Sequence, residues 1–317
     1  MTAGTLVYVC MSEKKGVGKH AVERAVLRAN HGIEGDAHAG KGHRQISLLD
    51  AGEIEAMRQS GVALEPGAFG ENVVLKGVAL LELGLGSRLR IGKTAELTIS
   101  QIGKQCHTPC SIYATAGDCI MPRAGLFARV TEGGDVRPGD SVVVAEQVPR
   151  SMFQAVVLTI SDRCSRGEVQ DTAGPAVAAM LDQTGSFHTY RQKILPDERE
   201  AIEESLRHYS DGHGIDLVVT VGGTGFSPRD VTPEATRAVL ERFAPGLDEA
   251  MRAASLAKTP SAMVSRGVSG VRAATLIVNL PGSRKAATET LAVILPALPH
   301  ALGKLRGDPT ECSPSGS

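Results

Sequence analysis

Glycine, hydroxyl and acidic residues gather in Gly222-Gly-Thr-Gly-Phe-Ser-Pro-Arg-Asp230, directly after the apolar run Asp216-Leu-Val-Val-Thr-Val221. Glycines let backbone N–H groups approach an anion. The helix that Thr232-Pro233-Glu234 opens, with a capping hydroxyl, proline at its first position and an early acid, adds a favourable dipole. A second glycine loop, Asn279-Leu-Pro-Gly-Ser-Arg-Lys285, follows another apolar run and suits a second stretch of phosphate. A third loop, Ser161-Asp162-Arg163, offers polar side chains that could meet a heterocycle. Neither glycine loop is a Walker A, because no Gly-Lys-Ser/Thr follows, and neither has the spaced glycines of dinucleotide folds. A lone Gly-Gly-x-Gly makes a tight turn as readily as a phosphate cradle. Two such polar loops after two strands favour the ligand reading, because open parallel sheets bind ligands beyond the carboxyl ends of their strands.

The elements around these loops differ between the two halves of the chain. After a boundary near residues 146–153, strand patterns at 155–160, 192–195, 216–221 and 275–279 alternate with helical patterns at 173–184, 198–209, 233–243 and 284–301. That alternation predicts a three-layer α/β unit with a mostly parallel sheet. Before the boundary, short β-rich runs (45–49, 72–75, 88–91, 95–100, 126–130, 141–145) are separated by glycine-rich turns, with one helix at 50–60, which predicts a mostly-β barrel. The expected domains are therefore 1–148 and 152–308, with 309–317 a disordered tail. A chain of 317 residues is long enough for two cores.

Lys and Arg total 34 against 35 Asp and Glu, so nothing in the charge balance attracts nucleic acid or an anionic membrane. The absence of Trp and the 3% aromatic content also disfavour stacking on single-stranded nucleic acid. The first apolar run, 5–11, has no basic residue before it and is too short for a signal or a membrane span, so it is read as a buried strand and the expected address is cytoplasmic. Six scattered cysteines (Cys10, Cys106, Cys110, Cys119, Cys164, Cys312) then point to reduced thiols.

Five dispersed stretches, Thr159-Ile-Ser-Asp-Arg163, Ile194-Leu-Pro-Asp-Glu198, Thr220-Val-Gly-Gly-Thr-Gly225, Arg229-Asp-Val-Thr-Pro-Glu-Ala-Thr236 and Asn279-Leu-Pro-Gly282, together resemble the MogA/MoaB family of molybdopterin adenylyltransferases over about 154–308. The resemblance implies that Mg-ATP and molybdopterin give adenylylated molybdopterin and pyrophosphate. Asp197 and Asp230 match the family's two catalytic acids, which would hold magnesium through ATP. By residue type alone, Asp197 reads equally as a helix cap and Asp230 as a turn-former. Ser161, Asp162, Gly222, Gly223, Thr224, Gly225, Arg229, Thr232 and Glu234 would line the pterin-phosphate side, and Asn279, Pro281, Gly282 and Ser283 the nucleotide side. The resemblance also implies a homotrimer, with other molybdenum cofactor biosynthesis proteins as partners.

In the first half, His31-Gly-Ile-Glu-Gly-Asp-Ala-His38, His43-Arg-Gln-Ile-Ser-Leu-Leu49, Phe69-Gly-Glu-Asn72, Gly103-Lys-Gln-Cys-His-Thr-Pro-Cys110 and Asp118-Cys-Ile-Met-Pro122 resemble a MOSC domain over about 5–145. The cysteine matched by Cys119 is associated there with holding molybdenum or carrying sulfur, either of which needs an accessible thiolate. Cys119 also reads as a small buried apolar residue. A zinc site of Cys106, His107, Cys110 and Cys119 is disfavoured by its Cys-x3-Cys spacing. Arg44 and Lys104 are candidates for pterin phosphate, while His31, His38 and His43 read as turn or solvated residues. No pyridoxal-binding lysine motif is present, so any sulfur would come from elsewhere. The leading expectation is a two-domain molybdenum cofactor biosynthesis enzyme; the alternatives are a non-catalytic pterin carrier and a MOSC enzyme acting on an unrelated small substrate.

Overall fold

The computed structural model describes residues 3–15, 17–59, 64–103 and 119–309, which fall into two compact units, 1–151 and 152–317. Lys104, Cys106, His107, Cys110 and residues 310–317 lie outside the described residues.

The N-terminal unit comprises strands β1 (Ala3–Met11), β2 (His20–Val22), β3 (Ala25–Arg28), β4 (Gly32–Ile33), β5 (Ile46–Asp50), β6 (Val73–Lys76), β7 (Arg88–Ile91), β8 (Ala95–Ile102), β9 (Leu126–Glu132), β10 (Gly134–Val136) and β11 (Ser141–Glu146), with helices α1 (Ala51–Gln59) and α2 (Met121–Ala124). The order β11-β7-β8-β9-β5-β6-β1 closes on itself because β1 also pairs with β11, giving a barrel with no free edge along that circuit. Period-2 alternation does the folding: in Arg88-Leu-Arg-Ile91 the two leucine-type residues point inward and the two arginines outward. Leu6, Leu48, Leu75, Leu89, Leu97, Val130 and Val142 are completely buried.

The C-terminal unit is α/β, with strands β12 (Phe153–Ile160), β13 (Phe187–Leu195), β14 (Leu217–Val221), β15 (Arg242–Phe243), β16 (Ser269–Arg272) and β17 (Thr275–Leu280). They form one sheet in the order β13-β12-β14-β17-β16-β15, parallel through β17 and antiparallel at β16 and β15. Every residue of β14 and β17 is buried, as expected for central strands covered by helices on both faces. Helices α3 (Asp162–Ser165), α4 (Ala173–Asp182), α5 (Arg199–Gly212), α6 (Thr232–Val239), α7 (Pro245–Leu256), α8 (Arg284–Ile294) and α9 (Leu298–Leu305) complete the unit. Val157, Val219 and Val278 from the sheet pack with Val177, Leu181 and Leu291 from α4 and α8 in one apolar cluster.

Two helices depart from the sequence expectation. The pattern at 233–243 stops at Val239 and turns into the short edge strand β15, after which the unforeseen helix α7 begins with proline near its first position. The pattern at 284–301 is two helices, broken at 295–297, where Pro296 has no N–H to continue the ladder.

Candidate functional site

The loops leaving β12, β13, β14 and β17 at their carboxyl ends converge. Gly222 and Gly223 have positive φ (111° and 64°), and the space around them is closed: a Cβ on Gly222 would lie 2.4 Å from the Ile160 carbonyl oxygen, and one on Gly223 2.3 Å from Thr232 Oγ1 and 3.1 Å from Asp197 Oδ1. These positions require glycine because the loop leaving β14 is threaded between the ends of β12 and α6. Gly282 sits against Gly222, its would-be Cβ 3.2 Å from the Gly222 Cα, so the two glycine loops touch backbone to backbone.

The acids are held by the same loops. Asp197 Oδ2 accepts from the Asp162 amide at 2.8 Å and Asp162 Oδ1 accepts from the Asp197 amide at 3.0 Å, a reciprocal pair that fastens the end of β13 to the end of β12. Asp230 Oδ2 accepts from the Ser227 amide at 2.9 Å. Partial burial pushes the Asp197 carboxyl above the usual aspartate range, and the negative charges of Asp162 and Asp230 add to that push. The Asp162 carboxylate is held below its usual range by hydrogen bonds from Arg229, whose Nε and Nη2 lie 3.0 and 2.9 Å away.

Beside these acids lies a cavity of about 420 Å³. Its walls include the predicted Gly223, Thr224, Gly225, Asp230, Asn279, Pro281 and Gly282. The remaining predicted residues stand around it in other roles. Ser161 caps α3 by accepting from the Cys164 amide, and Ser283 caps α8 by accepting from the Ala286 amide. Thr232 is fully buried with its hydroxyl behind Gly223. Arg229 is engaged with Asp162, so a ligand reaching either group must share or replace that exposed ion pair. Two expectations change in character. The Asn279 side chain is committed inside the fold, donating to Thr220 Oγ1 and Thr236 Oγ1 at 2.9 Å each and accepting from the Val268 amide, so it shapes the wall rather than offering free polar atoms. Glu234 is paired with Arg266 instead of presenting its charge to a ligand.

Sequence reading missed the opposite wall, formed by Asp248, Met251, Arg252 and Ser255 of α7 and by Ser261, Ser265 and Gly267 beyond it. Asp248 is buried and binds the Ser269 hydroxyl and amide at 2.6 and 2.9 Å; burial pushes its carboxyl upward. The signal was present in Pro245 with Leu247 and Met251 four apart, a helix start followed by an apolar face.

In the N-terminal unit the motif residues brace the barrel. Asp36 Oδ2 accepts from the Ser12 amide, from Asn72 Nδ2 and from Lys19 Nζ at 3.1 to 3.2 Å, and the Lys19–Asp36 pair is almost completely buried. Glu71, also buried, caps the turn before it by accepting from the Gly67 and Phe69 amides. His38 Nδ1 lies 3.3 Å from Asp36 Oδ1, and His43 Nε2 and Arg44 Nε both meet Gln101 Oε1. Cys119 is half-buried and packed against a cluster containing Leu49, Ile54, Met121 and Phe127. Burial drives the Cys10 thiol up to about 12, which makes it inert. Among the described residues no three His, Cys, Asp or Glu side chains are grouped to hold a metal ion, and no helix is long and apolar enough to cross a membrane.

Comparison with known proteins follows the division into units. Residues 156–300 match the family model described as "Probable molybdopterin binding domain", and residues 35–143 match the MOSC domain model. A molybdopterin adenylyltransferase from Helicobacter pylori is 42% identical over 156 residues, 48% of this chain and 87% of that protein. Gephyrin from Dictyostelium discoideum is 42% identical over 167 residues, 50% of this chain, and the chain spans only 23% of gephyrin's length. A crystal structure of the molybdopterin biosynthesis enzyme MoaB from Thermus thermophilus is 51% identical over 50% of this chain and all of its own, with a TM-score of 0.48. On this match of sequence across nearly the full length of a bacterial relative, the chain belongs through its C-terminal unit to the MogA/MoaB family of molybdenum cofactor biosynthesis proteins, and it carries a MOSC domain ahead of that unit.

Proposed function

We propose that the C-terminal unit adenylylates molybdopterin with Mg-ATP. The observation that carries this reading is the pair Asp197 and Asp230, which lie against Gly223 and Gly225 of the glycine loop, with Asp230 lining a cavity large enough for a nucleotide-sized ligand. In the reaction, a terminal phosphate oxygen of molybdopterin attacks the α-phosphorus of ATP, the bond to the β-phosphate oxygen breaks, and pyrophosphate leaves. Such transfers depend on in-line positioning and charge neutralisation more than on a strong base.

The carboxylates fit a magnesium ion that arrives with ATP. Each binds one backbone N–H through Oδ2, and neither Oδ1 accepts a hydrogen bond among the described residues. Two carboxylates are the protein share that Mg²⁺ ordinarily takes, substrate phosphates and water supplying the rest. Burial, and after it the negative charges of Asp162 and Asp230, raise the Asp197 carboxyl pKa, and a cation would offset both effects by favouring the charged form. The chain's own residues orient the reactants: backbone amides of Gly223–Gly225 and the N-terminus of α6 face one phosphate, and the Pro281–Gly282 turn with the N-terminus of α8 faces another, while the Gly222 amide is spent on the Leu280 carbonyl.

The MOSC unit, in the same reading, binds the pterin product or handles its molybdenum or sulfur through Cys119. Joining the two activities in one chain raises the effective concentration of the intermediate at the second site.

Pyrophosphate release by the full chain with molybdopterin and Mg-ATP tests the proposal. Asp230→Asn is expected to keep the thermal midpoint and substrate affinity while reducing transfer on the order of 10²-fold or more. Near-normal release by that variant overturns the metal-holding role. Tight pterin binding without turnover by the unaltered chain shows a carrier instead.

A further inference from the structure

Arg266 sits between the short 3-10 helix Pro260–Val264 and β16, and its neighbours Ser265 and Gly267 line the cavity. Its guanidinium reaches across to that loop. Nε donates to the Gly225 carbonyl at 2.7 Å, Nη2 donates to the Asp230 carbonyl and Nη1 pairs with Glu234, while its backbone amide donates to the Thr224 carbonyl at 3.0 Å. Gly225 and Asp230 are the two ends of the exposed excursion 226–229, so one planar group closes the loop at both ends.

We infer that Arg266 is a positioning residue for the adenylyl transfer proposed above: it fixes the place of the Asp230 carboxylate by stapling the two ends of its loop to the segment that leads into β16. Three features support a role beyond general stability. The Asp230 side chain has only local support of its own, the bond from the Ser227 amide at 2.9 Å, and Ser227 belongs to the same loop. The loop's outer residues Phe226, Ser227, Pro228 and Arg229 are exposed, and the outside tie they make is the solvent-exposed Arg229–Asp162 ion pair, a weaker anchor than a buried contact. The bonds from Arg266 end on backbone carbonyls, so they set where the chain runs whatever the identity of the side chains.

The chemistry is specific to arginine. Two carbonyls and a carboxylate are met by one rigid fork, whereas a lysine ammonium is a point charge that can satisfy the carboxylate but not span both carbonyls in fixed geometry. Displacement of a catalytic group by about 1 Å costs on the order of 10²-fold in rate, so loosening the staple should appear in kcat. The walls that grip the substrates remain, so KM should move little.

The test compares Arg266→Lys and Arg266→Gln with the unaltered full chain in pyrophosphate release from molybdopterin and Mg-ATP, together with hydrogen exchange at the Ser227 and Asp230 amides. Both variants are expected to lose about 10- to 100-fold in kcat, with KM for ATP within about threefold, and to exchange those two amides faster while the β14 and β17 amides stay protected. Lysine is expected not to rescue. Normal kcat in Arg266→Lys overturns the inference, as does unchanged exchange at Ser227 and Asp230 in both variants. So does a loss of protection throughout the sheet, which marks a purely structural role. If the unaltered chain itself releases no pyrophosphate, the adenylyl-transfer reading fails, and the exchange measurement still decides whether Arg266 holds the loop.

Discussion

A few side chains in the C-terminal unit carry consequences that depend on their protonation. His208 and His213 bring their Nε2 atoms to 3.0 Å, an arrangement in which one ring donates and the other accepts, so the two rings are not protonated together. Burial pushes the His208 pKa below its usual value, and the nearby Lys193 ammonium pushes the same way, against the weaker opposite pull of Glu204. A histidine whose folded pKa is depressed contributes stability that is present above the unfolded value and lost as pH falls through the unfolded and then the folded value. The C-terminal unit is therefore expected to lose thermal stability progressively below about pH 6.5, and His208→Gln should flatten that slope. An unchanged slope in the variant would assign the acid sensitivity to other groups. Tyr190, Tyr209 and Arg191 surround the same pair. At this scale the sequence marked Asp197 and Asp230 through the motifs that carry the family resemblance, their residue types alone reading as a helix cap and a turn-former. It could not show that Glu234 and Arg229 are paired with Arg266 and Asp162, because those partners are 32 and 67 residues away.

Among the elements, the strand–loop–helix junction after β14 is the most constrained. Gly222→Ala would set a methyl group against the Ile160 carbonyl, a backbone atom that cannot rotate away, at a φ that alanine avoids. The expected penalty is about 2–4 kcal/mol in unfolding free energy, read by denaturant titration of the C-terminal unit, with loss of transfer activity in the surviving folded protein. A change below about 0.5 kcal/mol would mean that the junction relaxes freely. The parallel strands were readable because burial on both faces demands unbroken apolar runs such as Leu217-Val-Val-Thr-Val221. Edge elements were not. β15 has two exposed residues, and β16, Ser269-Gly-Val-Arg272, carries no period because its pairing with β17 comes from backbone bonds and not from an apolar face. Helix α7 was lost for a related reason: the helical pattern before it was read past Val239, where the chain has already turned.

For the whole molecule, each unit has its own buried cluster, which predicts that residues 152–317 fold alone. In pyrophosphate release that fragment should match the full chain within about threefold when molybdopterin and ATP are saturating, because every residue assigned to the transfer lies within it. A fragment that folds, as judged by cooperative melting, yet does not turn over would place part of the site in the first unit. The sequence by itself determined the two-part organisation, the barrel and the parallel sheet, because periodicity is a local property and the strands' apolar character is written in consecutive residues. It also marked the two glycine loops, each a short contiguous stretch, and through the family resemblance the acids Asp197 and Asp230. Only the tertiary structure decided how those stretches are braced. The pairing of Asp162 with Asp197, the commitment of Asn279 to Thr220 and Thr236, the opposite wall from α7 and the staple from Arg266 all join residues distant in the chain. Their geometry exists only after the sheet has brought the ends of β12, β13, β14 and β17 to one place.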